Sequence, residues 1–218
     1  MNKLIQDTGF WFVDIPRTSS SSIRAELGAH FGRAHGKMNI PEKQYATEQS
    51  FADHQTAQEM QDVLGPELWS KIVTFSVVRN PWERIVSYYF YRKRKAVVRI
   101  PETWSLADFI EQLATARSGG PIHETLQYAP HRRTYSEFLT DGSGDLLVDH
   151  VIHFEDRKAG LKRIGDMIGL GTLGQLAINP ATPEGHHYSE YFDEASRILV
   201  GEIFAEDCAR FGYRFETK

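Results

Sequence analysis

The chain has 218 residues, a length that suits one sizeable domain, and the reading here is a single domain over 1–218. Hydrophobic residues make up 41%, aromatics 12% and charged residues 25%, which supplies a core and excludes a disordered or collagen-like chain. The formal charge of −4 argues against nonspecific nucleic-acid binding, and the lone cysteine, Cys208, excludes an intramolecular disulfide and any cluster of four thiolates. The uncharged stretch before Asp14 is too short for a leader or a spanning helix, so a cytoplasmic protein with no membrane partner is expected.

Gly9 to Ile15 is an apolar, aromatic run of strand length, ended by Pro16 and a serine tract. Ile23, Leu27, His30 and Phe31 then share one face of a helix whose first turn lies among the serines, which places His30 among packed residues. Gly32 to Phe51 has no sustained periodicity and reads as a long loop. Thr56 and Glu59 form a T-x-x-E capping box, which predicts a helix from about Thr56 to Gly65 and Pro66. His54 precedes it.

Ile72 to Val78 predicts a second buried strand, bounded by Arg79, Asn80 and Pro81. Trp82, Ile85, Val86, Tyr89 and Phe90 repeat with helical spacing directly afterwards, with Pro81 suited to the first turn. Further helices are expected over Leu106 to Leu113, Tyr135 to Leu139 and Asp156 to Ile168, and a third strand over Leu146 to Phe154. Gly169 to Pro183 reads as a loop. One last helix carries an apolar stripe of Val200, Ile203, Phe204, Cys208 and Phe211, so Cys208 is assigned to the core and not to catalysis. Strands alternating with helices point to an α/β domain with a mainly parallel sheet flanked by helices.

Two segments carry chemistry. In the first, a strand runs through Pro16-Arg17-Thr18-Ser19-Ser20-Ser21-Ser22 into a helix, an arrangement that aims backbone N–H groups and a helix dipole at one point and suits phosphate; Arg17 adds a fixed positive charge. The ordinary reading of this segment is a solvated loop with a serine cap. The G-x-x-x-x-G-K-[ST] pattern is absent. In the second, Val78-Arg79-Asn80-Pro81-Trp82-Glu83-Arg84-Ile85-Val86-Ser87-Tyr88, Arg79 stands at a strand end and Ser87 on the following helix, and together they can clamp an anion. The ordinary alternative makes Arg79 and Arg84 surface ion-pair partners.

These two segments, in this order, resemble the PAPS-dependent sulfotransferases, especially the carbohydrate-type branch, whose loops read P-K-T-G-G-T-S and V-R-N-P-x-x-R-x-x-S-x-Y. Leu147-Val148-Asp149 leading to Phe154-Glu155, and Phe211-Gly212-Tyr213, are weaker echoes of the same family. The resemblance implies a P-loop-like fold that binds 3′-phosphoadenosine 5′-phosphosulfate (PAPS), releases PAP, needs no metal, and moves a sulfuryl group to a hydroxyl or amine of an acceptor, expected to be a carbohydrate. It implies that Arg17 and the Thr18, Ser19, Ser20, Ser21 and Ser22 loop hold the 5′-phosphosulfate, that Arg79 and Ser87 hold the 3′-phosphate, and that Arg17 stabilises the leaving group.

Arg17 stands where the family has lysine, and Ser19 and Ser20 replace two glycines. Serine fits there only where no positive φ is required. Two other readings follow: a non-catalytic nucleotide-binding protein with a degenerate loop, and a phosphotransferase, against which the missing lysine pattern argues. For the acceptor side the expected base is His54, since Asp53-His54-Gln55-Thr56-Ala57 resembles the H-x-T-A segment of related bacterial sequences; the plainer role for His54 is to cap the next helix. His150 and His153 point to different faces of a strand, and His186 and His187 lie in a turn-rich loop where solvation is the default. Arg92, Lys93, Arg94 and Lys95 with Arg99 read as a solvated helix end that could meet an anionic acceptor.

Overall fold

The computed structural model describes residues 9–31, 38–39, 53–94, 99–176 and 186–218. The chain forms two compact units, Met1–Val78 with Tyr135–Asn179 and Arg79–Thr134 with Pro180–Lys218.

The first unit is built on a four-stranded sheet in the order β2-β1-β3-β4, from β1 (Phe10–Val13), β2 (Met38–Asn39), β3 (Val73–Val78) and β4 (His150–His153). β1 pairs parallel with β3 and β3 parallel with β4, while β2 adds an antiparallel edge. Phe12 lies opposite Phe75 and Val77 opposite Ile152. Alternation along the strands therefore turns Phe10, Phe12, Phe75, Val77 and Ile152 to one face. Ile23 and Leu27 of α1 (Ser20–Phe31) and Leu161 and Ile164 of α7 (Arg157–Met167) bury that face in one apolar cluster. The Phe12 and Phe75 rings stack with centroids 5.0 Å apart. Gly160 lets α7 approach β4 this closely, because a Cβ there would sit 2.5 Å from the Ile152 side chain.

Asp149 fixes the register of β4. Its Oδ2 accepts hydrogen bonds from the Thr74 amide and hydroxyl at 2.9 and 2.7 Å, and its own N–H donates to Thr74 Oγ1 at 2.9 Å. The expected capping box is formed: Glu59 N–H donates to Thr56 Oγ1 and Thr56 N–H donates to the Glu59 carboxylate, which starts α2 (Ala57–Leu64). Gly65, at φ 79°, ends α2, and Pro66 opens the short α3 (Pro66–Trp69). Trp69 then donates its indole N–H to Leu147 O at 2.8 Å. α6 (Tyr135–Leu139) completes the helices described in this unit.

The second unit is helical among its described residues: α4 (Pro81–Arg94), α5 (Leu106–Arg117), α8 (Glu194–Ile203) and α9 (Ala205–Phe211), with short 3-10 turns between them. The face of α4 carrying Trp82, Ile85, Val86 and Tyr89 packs in one cluster with Phe109, Ile110 and Leu113 of α5 and with Val200 and Phe204.

Several sequence expectations need correction. Met38–Asn39, inside the stretch read as loop, pairs with β1, while residues 32–37 and 40–51 lie outside the described residues. The third strand is shorter than Leu146 to Phe154, because Leu146 makes an isolated bridge to Thr140 and Phe154 opens a 3-10 turn. The last helix is two, broken at Phe204 (φ −109°, ψ 24°), although its apolar stripe runs across the break. His30 is exposed and not packed. The loop after Gly169 is described only to 176, and Lys95 also falls outside the described residues.

Candidate active site

The first unit contributes the turn from β1 to α1. Thr18 and Ser20 each donate a hydroxyl to Ile15 O, at 2.9 and 2.5 Å, and both residues are buried. Ser19 O accepts from the amides of Ser22 and Ile23 at 3.0 and 3.1 Å, so Ser19 closes the first turn of α1. The leading amides of a helix have no acceptor within it, which leaves the N-terminus of α1 suited to an anion. Closing the turn this way puts Arg17 at φ 70° and Ser19 at φ 76°. The loop thus does require a positive φ at the first of the two serines that stand for glycines, while Ser20 is the first helical residue.

At the mouth of the same turn Asp14 is only 2% exposed. Its carboxylate accepts from Arg24 Nη1 at 3.0 Å and from the His54 backbone N–H at 3.2 Å. His54 Nδ1 lies 2.6 Å from Asp14 O and 3.3 Å from Asp14 Oδ2. Arg24 Nη1 also donates to Asp53 at 2.8 Å, so one guanidinium holds both the strand end and the segment that carries His54. His54 itself stands at φ 61°, and its side chain keeps 15% exposure. The capping role weighed for His54 belongs to Thr56.

The second unit contributes Arg79, the residue directly after β3, which is 2% exposed and ion-paired with Glu83 one turn on. Ser87, one further turn along α4, is buried. Asn80 fixes the entry to the helix: Oδ1 accepts from the Trp82 amide at 3.1 Å and Nδ2 donates to Arg214 O at 2.9 Å. Arg84 is buried, donates to Arg133 O at 3.0 Å and lies 5.7 Å from the Phe204 ring centroid; of the alternative that made Arg79 and Arg84 surface ion-pair partners, the ion pair holds for Arg79 with Glu83, and the surface placement fails for both. The basic end of α4 is partly laid on its own aromatics, with Arg92 5.5 Å from the Tyr88 ring and Lys93 5.0 Å from that of Tyr89. Cys208 packs against the core of this unit, and burial pushes its thiol up to about 11, far from a nucleophile's range. Among the described residues no group of three or more His, Cys, Asp or Glu side chains gathers as a metal site.

The model of the Sulfotransferase family matches residues 4–214. The chain belongs to that family. Sulfotransferases are enzymes that transfer a sulfuryl group. By fold, the sulfotransferase is similar to the mouse sulfotransferase SULT7A1 solved with PAP, at 16% identity and a TM-score of 0.53, over 93% of this chain and 85% of that one. A sulfotransferase from Alicyclobacillus acidocaldarius aligns at 16% identity with a TM-score of 0.38, over 94% of this chain and 87% of that one. Compared by sequence alone with curated proteins, the sulfotransferase matches none.

The expected residues fall into two sets: Arg17 to Ser22 and His54 in the first unit, Arg79 and Ser87 in the second. Sequence reasoning missed Asp14, Arg24 and Glu83. The one signal for Asp14 was an acid closing an apolar strand. Nothing local marks Arg24, whose partner Asp53 is 29 residues away. No helix among the described residues is long and apolar enough to cross a membrane.

Proposed function

We propose that this sulfotransferase takes the sulfuryl group from PAPS and delivers it to a hydroxyl, or an amine, of a carbohydrate acceptor in the cytoplasm, residues 1–218 working as one domain. The observation that carries this reading is His54, held against Asp14 at the end of the strand that opens the phosphate loop. The Thr18–Ser22 turn receives the 5′-phosphosulfate through its leading backbone amides, since the hydroxyls of Thr18 and Ser20 donate to Ile15 O and the Ser22 amide donates to Ser19 O. Arg79 and Ser87 receive the 3′-phosphate, with Arg79 exchanging its contact to Glu83 for the stronger anion.

In the reaction the acceptor oxygen attacks sulfur as the bond from sulfur to the bridging phosphate oxygen breaks. His54 accepts the hydroxyl proton, and PAP leaves with the bonding pair, its new negative charge met by Arg17. Such in-line transfer relies on positioning and charge stabilisation. Arginine supplies that charge but is a poor proton donor, so PAP departs unprotonated.

Transfer of label from sulfur-labelled PAPS to a panel of hydroxylated carbohydrates and amines tests the proposal. His54→Ala should lower turnover by about 10² to 10⁴-fold and leave PAP affinity unchanged. Near-normal turnover by the folded variant would remove His54 from the base role.

A further inference from the structure

We propose that Asp14 is a positioning residue that holds the His54 ring with its proton on Nδ1, so that Nε2 is the nitrogen that takes the acceptor proton. The inference rests on the reading of His54 as the base. A carbonyl oxygen carries lone pairs and no hydrogen, so the 2.6 Å approach of Nδ1 to Asp14 O is a hydrogen bond only if Nδ1 donates. Asp14 Oδ2, 3.3 Å from the same nitrogen, is a second acceptor on that side. Both select one tautomer, and a neutral imidazole with hydrogen on Nδ1 has its basic lone pair on Nε2.

Three further observations agree. Asp14 is buried, and a buried carboxylate is costly unless it is paired; Arg24 pairs it at 3.0 Å. The same Arg24 nitrogen reaches Asp53, which ties the residue before His54 to the same anchor. His54 stands at φ 61°, an uncommon conformation for a non-glycine residue that persists only where surrounding contacts over-determine it. Here those contacts are the Asp14 bonds to both the backbone and the ring of His54. During transfer the ring gains a proton on Nε2, and the Asp14 carboxylate beside Nδ1 offsets the charge so formed. No atom of Asp14 needs to touch the substrate.

Long-range proton–nitrogen correlation spectra of the full chain, with His54 assigned by the signals lost in His54→Ala, read the tautomer without reference to turnover. The expected parent spectrum has a protonated Nδ1 and a bare Nε2 in the neutral ring. Asp14→Asn keeps the main-chain acceptor at 2.6 Å and loses only the carboxylate charge beside Nδ1, so it should keep the Nδ1-protonated ring while kcat falls by roughly 10 to 100-fold, with KM for PAPS and affinity for PAP unchanged. A parent ring protonated on Nε2 overturns the inference, including where Asp14→Asn fails to fold. So does a folded Asp14→Asn protein that keeps the parent kcat. If the spectra show Asp14 selecting the tautomer while His54→Ala still turns over, the base assignment falls and the tautomer control by Asp14 stands, so the two failures are distinguishable.

Discussion

At the scale of single residues the two serines that replace glycine part company. Ser19 sits at φ 76°, where an L side chain costs about 1 to 2 kcal/mol, against about 0.4 to 1 kcal/mol of extra unfolded-chain entropy that glycine brings. Ser19→Gly should therefore be neutral or stabilise by up to about 1.6 kcal/mol. Ser20 is helical, buried and bonded to Ile15 O, so Ser20→Gly should destabilise by about 1 to 2 kcal/mol through the lost bond and helix propensity. Urea denaturation of the two variants checks the opposite signs. Cys208 offers a second residue-level test: with its thiol at about 11, little thiolate exists at pH 8, and a disulfide reagent should modify the native protein far more slowly than the unfolded chain. At this scale the sequence spoke unevenly. The places of Arg79 after β3 and of Ser87 on α4 were legible from a contiguous motif, whereas the partnership of Asp14 with His54 joins residues 40 apart and exists only once β1 and the segment before α2 meet.

At the scale of elements, what was legible is what local chemistry dictates. The α2 start follows from the Thr56 and Glu59 side chains alone, and α4 from its apolar spacing and Pro81. β2 was hidden because two residues carry no periodicity, and their strand character comes from pairing with Phe10 and Trp11. The break between α8 and α9 has no proline and no glycine at Phe204 to announce it, and Gly201, the nearest glycine, lies within α8 close to Trp82. Because the cap of α2 is Thr56, stability and catalysis should separate by residue. Thr56→Ala is expected to cost about 1 kcal/mol of stability while leaving turnover per folded molecule near the parent value. His54→Ala should reverse that pattern, and thermal melts with rates on the same two proteins decide.

At the scale of the whole molecule, pH should act most clearly through the second unit. Burial raises Tyr88, Tyr188 and Cys208 above their ordinary values, the last from 9.0 to about 11. Each therefore keeps its proton in the folded state at a pH where the unfolded chain has released it. Their contribution to stability is present in full below the unfolded values and is lost as pH rises through the folded ones. The denaturation midpoint should hold steady to about pH 8.5 and fall above about pH 9, and Cys208→Ala should flatten part of that fall. A midpoint that climbs from pH 9 to 11 would contradict this.

The net charge of −4 gives the chain no general attraction for a polyanionic donor, so the proposed reading assigns recognition to placed cations, Arg17 and Arg79 foremost. Titration calorimetry with PAP and with AMP isolates the 3′-phosphate on which the choice of donor turns. The account predicts that PAP binds about 10 to 100-fold more tightly, the worth of one charge-assisted contact, and that Arg79→Ala erases the preference. Equal affinity for the two nucleotides in the parent protein would contradict it.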